Sequence, residues 1–232
     1  MVAYRHAWRG VDFAPARERR AGYPSAGMAT LTAMNEAHQV CGSEEWREIM
    51  RDVVFPWALG DASLGNDVLE VGPGYGATTD VLSTMTARLT SVEVDEQLAA
   101  MLQERFAATP SVRIVRADAT ALNFQNEKFT GAACFTMLHH VPTTEMQDRL
   151  LSEIARVLRP GAPLVVSDSI GSEELEALHN DDTYNPIDPA EIKDRLAGAG
   201  SPRFRFASIP RDGRRWATRN EQFAHPREGG LD

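Results

Sequence analysis

Cysteine is scarce in this 232-residue sequence, which carries only Cys41 and Cys134. Two thiols cannot build a disulfide framework, and these two lack the spacing of a metal-ligand pair. The chain is therefore expected to work in a reducing, cytoplasmic setting, and no metal site is predicted. Long hydrophobic runs are lacking as well. No apolar stretch approaches the roughly 18 residues that a membrane span needs, so no membrane partner is expected. The N-terminal residues lack the apolar centre of a signal peptide. Basic residues are in deficit, with 24 Lys+Arg against 33 Asp+Glu and a formal charge of −9. That argues against a general nucleic-acid binder. Gly (17) and Pro (13) stand at ordinary levels, which excludes fibrous and low-complexity classes, and no internal repeat is visible.

What is present suits one α/β domain, with or without a small cap. The charge is split along the chain. Residues 1–33 and 202–232 each carry +3, so the segment between them holds −15. Residues 1–33 show no sustained period and read as a disordered extension, with Met28 and Met34 as possible internal starts. Trp46, Ile49, Met50, Val53, Val54 and Trp57 fall on one helical face, with Ser43 as N-cap and Pro56 near the end. This predicts a helical cap over 34–60. A strand–turn–helix pattern follows over 61–220, leaving 221–232 as a tail. Strands are expected at 67–71, 89–94, 112–115, 129–135 and 162–167. Helices are expected at 78–87, from Asp95, and at 143–158. Asp188-Pro189-Ala190-Glu191 reads as a capping box opening a last helix. Residues 203–207 and 214–218 read as an antiparallel hairpin turning at Asp212-Gly213. Alternating strands and helices imply a doubly wound, mostly parallel sheet, with ligands bound outside the strands' carboxyl ends.

Each of those ends carries polar chemistry. The first is Glu70-Val71-Gly72-Pro73-Gly74-Tyr75-Gly76. Its glycines permit a tight turn and close backbone approach. The pattern is Gly-x-Gly-x-Gly, not the dinucleotide Gly-x-Gly-x-x-Gly, and Glu70 would repel a phosphate while suiting a cation. Glu93 ends the second strand, where an acid can hold ribose hydroxyls; Asp95 beside it is a helix N-cap. Asp118-Ala119 ends the third. Phe135-Thr136-Met137-Leu138-His139-His140 ends the fourth, and either imidazole is a candidate general base. Asp168 ends the fifth, where it can orient a histidine.

Together these motifs, with Leu158-Arg159-Pro160-Gly161, resemble the class I S-adenosylmethionine-dependent methyltransferases, most nearly the small-molecule "type 11" branch. The resemblance runs from about Val68 to Asp168, and more loosely from Met34 to Arg219. It implies a Rossmann-like, doubly wound, seven-stranded and mostly parallel sheet with the last strand antiparallel. It also implies S-adenosylmethionine as cofactor, and methyl transfer to an oxygen or nitrogen of a small molecule by a monomer or homodimer. Gly72, Pro73, Gly74 and Gly76 would pass the methionine moiety, with Glu70 near its ammonium group. Glu93 would hold the ribose, Val94 would pack on adenine, and Asp118 and Ala119 would read the adenine edge. Phe135 would offer its backbone to the ammonium end. The resemblance makes His139 the base, with His140 a rival, and Asp168 its orienting acid. Candidates for the substrate wall are His38 and Trp46 from the N-terminal helical region, and His179 and Tyr184 from 172–186, which reads as an acidic loop. Three positions depart from the family pattern: Ala162 where glycine is frequent, Thr130 where an aspartate commonly follows Phe, and Ser201 in place of an aromatic.

Three rival readings compete with this one. A nicotinamide-dependent reductase would carry Gly-x-Gly-x-x-Gly and often Tyr-x-x-x-Lys, and neither occurs. The RNA adenine dimethyltransferases share the likeness over 69–76 and 93–95. They carry Asn-Leu-Pro-Tyr or similar after the fourth strand, where this chain has Cys134-Phe135-Thr136-Met137. A protein that uses the sulfonium without transferring methyl is the third.

Overall fold

A computed structural model describes residues 40–169, 171–179, 182–200, 204–209 and 217–222. The expected extension over 1–33, His38, Ser201, the turn at Asp212-Gly213 and most of the tail lie outside them. Among the described residues seven strands form one sheet: β1 (Asp67–Val71), β2 (Arg88–Glu93), β3 (Val112–Arg116), β4 (Gly131–Phe135), β5 (Leu164–Ser169), β6 (Phe204–Ile209) and β7 (Ala217–Gln222). Their order is β3-β2-β1-β4-β5-β6-β7. All neighbours pair in parallel except β6 with β7, which run antiparallel. Strand order reverses between β1 and β4, and a doubly wound sheet opens its binding crevice at that reversal.

The central strands are apolar on both sides because helices cover both faces. Side chains alternate between two cores. Leu69, Val71, Ala132, Cys134, Leu164 and Val166 point into one, against Leu150, Leu151 and Ile154. These last three lie on the helix Thr144–Val157. Val68, Leu89, Ala133, Phe135 and Val165 point into the other, against Ile49, Met50, Val54, Phe55 and Ala58. Close approach has a local cause at Gly131, where an added Cβ would stand 2.4 Å from the Leu64 carbonyl oxygen.

The helices are α1 (Glu44–Ile49), α2 (Phe55–Leu59), α3 (Ala77–Met85), α4 (Glu96–Arg105), α5 (Thr144–Val157), α6 (Glu173–Leu178) and α7 (Ile192–Gly198). A π-helical turn over Met50–Val54 joins α1 to α2, and the Phe55 N–H reaches back to the Met50 carbonyl. Pro56 stands near the end of the cap helix, as expected, and the helix runs on to Leu59. The wider turn accommodates a residue that lacks an N–H and crowds the preceding turn. The cap is tied to the sheet by Arg205, 1% exposed, whose guanidinium donates to the Leu59 carbonyl and to Asp61.

Three sequence expectations are corrected. Residues 129 and 130 precede β4 instead of starting it. The Thr130 N–H donates to the Asp67 carbonyl at 2.8 Å, but the Thr130 hydroxyl takes the Asp67 N–H at 2.9 Å and lies 3.0 Å from the Leu64 carbonyl. The Asp188 carboxylate accepts from the Ala190 N–H in a turn, so the last helix begins at Ile192 and not within the capping box. The segment after β5, read as a loop, contains α6, capped by the Ser172 hydroxyl.

Candidate functional site

Glycine makes the first wall possible. Gly72, Gly74 and Gly76 all have positive φ, at 67°, 54° and 82°, a region costly for residues with a Cβ. At Gly72 an added Cβ would stand 2.7 Å from Met137 Cγ, and at Gly76 2.6 Å from Leu102 Cδ2. The loop therefore lies flat against its neighbours and turns directly into α3. Behind it Glu70 is buried, with Oε2 accepting from Thr79 at 2.8 Å and from Ser91 at 2.6 Å. Its Oε1 makes no hydrogen bond of normal geometry, although the Thr78 hydroxyl lies near enough to favour the charged form. Burial still dominates and raises the Glu70 pKa.

Glu93 ends β2 with its carboxylate gathered onto backbone. Oε2 accepts from Gly74 at 3.0 Å, and Oε1 accepts from Val94 at 2.9 Å and Asp95 at 3.0 Å. Desolvation raises its pKa and these three N–H groups oppose the shift. Asp95 caps α4 as expected, accepting from Gln97 and Leu98. Asp118 caps a 3-10 turn over Ala119–Ala121.

The opposite wall holds the histidines. After β4, Thr136 takes φ 49°, a strained position for a β-branched residue. Its N–H donates to the Ser167 carbonyl at 2.7 Å. A 3-10 turn over Leu138–His140 follows. Asp168, wholly buried, holds this turn twice, accepting from the His139 backbone N–H at 3.2 Å and lying 2.5 Å from His139 Nδ1. Gln147 donates to the Leu138 and Asn185 carbonyls, both at 2.8 Å, and fixes the turn from behind. His140 Nδ1 stands 3.9 Å from Asp182 Oδ2.

These elements enclose one cavity of about 210 Å³. Gly72, Pro73, Gly74, Glu93, Val94, Asp118, Ala119, Phe135, His139, His140 and Trp46 line it. Glu70, Gly76, Asp168 and Tyr184 do not. Glu70 and Asp168 are sealed behind the wall as buried carboxylates, so the expected approach of Glu70 to an ammonium group is not a wall contact. Tyr184 instead packs on His179, ring centroids 4.6 Å apart, while its hydroxyl accepts from the Ser172 N–H. Trp46 does both things the sequence left open, packing on the cap core and facing the cavity. Phe135 stacks on Phe55 at 5.2 Å.

Of the segment expected to bound the substrate, His179 lies on the cavity wall, as do Met137 and Asp182, which the sequence reading did not single out. His179 is buried, and burial lowers its pKa. Its place follows from α6, and the signal was available: Ser172 as N-cap, with Leu175 and His179 four residues apart on one face.

Residues 69–166 match the family described as a methyltransferase domain. The chain is 40% identical over 68 residues to ribosomal RNA small subunit methyltransferase A of Geobacter sulfurreducens, covering 29% of this chain and 25% of that one. It is 32% identical over 127 residues to an O-methyltransferase of Pyrenophora dematioidea, covering 51% and 46%. It thus spans less than half the length of either relative. The crystal structure of a SAM-dependent methyltransferase from Aquifex aeolicus superposes with a TM-score of 0.54 at 19% identity, over 66% of this chain and 82% of that one. The family match over 69–166, with the sheet reversal and the glycine loop that those residues build, makes this segment a methyltransferase domain of the class I, S-adenosylmethionine-dependent kind.

Proposed function

We propose that the chain transfers the methyl group of S-adenosylmethionine to an oxygen or nitrogen of a small molecule, with His139 as general base. The observation that carries this reading is the His139–Asp168 pair, at 2.5 Å, with His139 in the same cavity wall as the glycine loop and Glu93 and Asp168 behind it. The residues fit the cofactor. Glu70 leaves a buried carboxylate oxygen without a full partner just beneath the loop, a source of negative potential for a cationic ligand. Glu93 uses three of its roughly four acceptor sites on backbone N–H groups, which leaves room for a hydroxyl. Val94 and Ala119 offer apolar surface and Asp118 a carboxylate for an adenine. When bound, the cofactor supplies a methyl group already activated on a cationic sulfur.

The chain's own part is alignment and proton transfer. Alignment can contribute about 7–11 kcal/mol to barrier lowering. Asp168 positions the imidazole and keeps the proton on Nδ1, which places the lone pair on Nε2. His139 Nε2 would take the proton that the acceptor's hydroxyl or amine gives up on methylation. Trp46 and the segment carrying His179 and Thr183 bound the space for the acceptor.

The ribosomal RNA methyltransferase relatives favour a second reading, methylation of an RNA adenine. The −15 charge of the central segment opposes it, as does Cys134-Phe135-Thr136-Met137 after β4. The test is product analysis. The full chain is incubated with S-adenosylmethionine, a panel of small hydroxyl and amine compounds, and separately with ribosomal RNA. S-adenosylhomocysteine with a methylated small molecule supports the proposal. Methylated adenine in the RNA arm alone overturns it.

A further inference from the structure

Three imidazoles meet at one corner of the cavity, and the proposed transfer uses only one of them. The ring centroids of His139, His140 and His179 are 4.2, 5.0 and 5.1 Å apart, a nearly equilateral triangle. One ring nitrogen from each lies within 4.8 Å of the others. The trio comes from two elements that meet only in the fold, the 3-10 turn after β4 and the end of α6. An oxygen stands behind every ring. His139 Nδ1 is 2.5 Å from Asp168 Oδ1, His179 Nδ1 is 2.6 Å from the Leu175 carbonyl, and His140 Nδ1 is 3.9 Å from Asp182 Oδ2. A ring that donates from Nδ1 carries its lone pair on Nε2. Such backing by carboxylates and carbonyls is how ligating histidines are oriented toward a metal.

We infer that His139, His140 and His179 form a three-histidine site for a zinc-class divalent ion, with the fourth coordination position facing the cavity. The donor set selects the ion. Imidazole nitrogens suit zinc and its neighbours over magnesium or calcium, and three ligands with an open position match reactive zinc sites. At a metal–nitrogen distance of about 2.0–2.1 Å, tetrahedral ligand atoms stand about 3.4 Å apart, so these nitrogens must close by at most about 1.4 Å. Half-buried His140 and the helix-terminal His179 can supply that movement by side-chain rotation. The site also constrains the proposed transfer. The Nε2 lone pair of His139 cannot hold an ion and accept a proton together, so a bound ion silences base-dependent turnover.

The test uses the full chain, freed of metal with a chelator and titrated with cobalt(II) or zinc(II) in the absence of cofactor. One ion per chain is expected, with the visible ligand-field bands of a tetrahedral cobalt site. X-ray absorption of the zinc-loaded wild type should read three imidazole nitrogens at about 2.0–2.1 Å. His140→Ala and His179→Ala should each weaken binding more than about tenfold, and Asp168→Asn by about 10–100-fold. A shell with fewer than three imidazoles, or one containing sulfur from Cys41, overturns the site, as does unchanged affinity in both alanine variants. The wild-type spectrum decides even where a variant misfolds. Because no cofactor or acceptor is present, failure of the methyl-transfer reading leaves this result untouched.

Discussion

Replacing Gly72 with alanine tests whether the glycine loop is shaped by its own backbone or by what lies against it. Gly72 has φ 67°, and a Cβ in left-handed backbone costs about 1–2 kcal/mol. The same Cβ would stand 2.7 Å from Met137 Cγ and 2.9 Å from Met137 Cβ. These atoms sit near the backbone and cannot swing away like the end of a flexible chain, so overpacking adds about 1–3 kcal/mol. The total is about 2–5 kcal/mol. Gly161 provides the comparison, with φ 75° and nothing within 4 Å of an added Cβ. Gly161→Ala should lose only the backbone part, about 1–2 kcal/mol. Urea unfolding of both variants isolates the contact with Met137 by difference. Calorimetry with S-adenosylmethionine should show weakened binding for Gly72→Ala, because Met137 and Gly72 share the cavity wall. Equal losses of stability in the two variants would falsify the reasoning.

His139→Ala should lower turnover by about 10²–10⁴-fold on a hydroxyl acceptor while leaving cofactor affinity near wild type; equal loss of both, by kinetics and calorimetry, would make the residue structural. Glu70 has a raised pKa in the fold, so the stability tied to it is complete below the ordinary carboxylate range and is lost as pH rises through the elevated folded value. Glu70→Gln should therefore gain on the wild type as pH rises from 4 toward 7 in urea unfolding, yet bind S-adenosylmethionine more weakly; a stability difference that is flat or reversed with pH rejects this. Arg205→Met should destabilise by about 1.5–3 kcal/mol through loss of the charge-assisted hydrogen bond to the Leu59 carbonyl, which keeps the Ala62 N–H at 3.0 Å, measured by thermal unfolding, and an unchanged melting temperature would mean that the tie contributes nothing.

The parts of the fold that were legible in the sequence are those where one physical signal acts alone. β1 ends where glycines begin, and Asp95 caps α4 because a short acidic side chain before an apolar helix has little else to do. Glu93, Asp118 and His139 could be placed on the cavity wall from sequence because a parallel sheet delivers its strand ends to one crevice. The misread parts are those where signals compete. Asp188 reads as a helix cap, but its carboxylate closes a nearer turn. The three-histidine corner was out of reach because His179 lies about forty residues from His139 in sequence, and only the packing of α6 brings them together.

The tie between Arg205 and the Leu59 carbonyl spans 146 residues of chain. At about 5–20 residues per second of synthesis, roughly 7–30 s separate the emergence of the two partners. The first helices of the described chain thus wait through the making of nearly the whole sheet before their last anchor exists. Until then the cap's inner face, with Phe55 and Met50, can pack on β1, β2, β4 and β5 as they emerge, but its polar tie at Leu59 and Asp61 is missing. Protease cleavage within the cap of ribosome-bound chains should persist in those stopped before Arg205 and fade once it has cleared the exit tunnel. The N-terminal cap is in this sense finished by the C-terminal half of the protein.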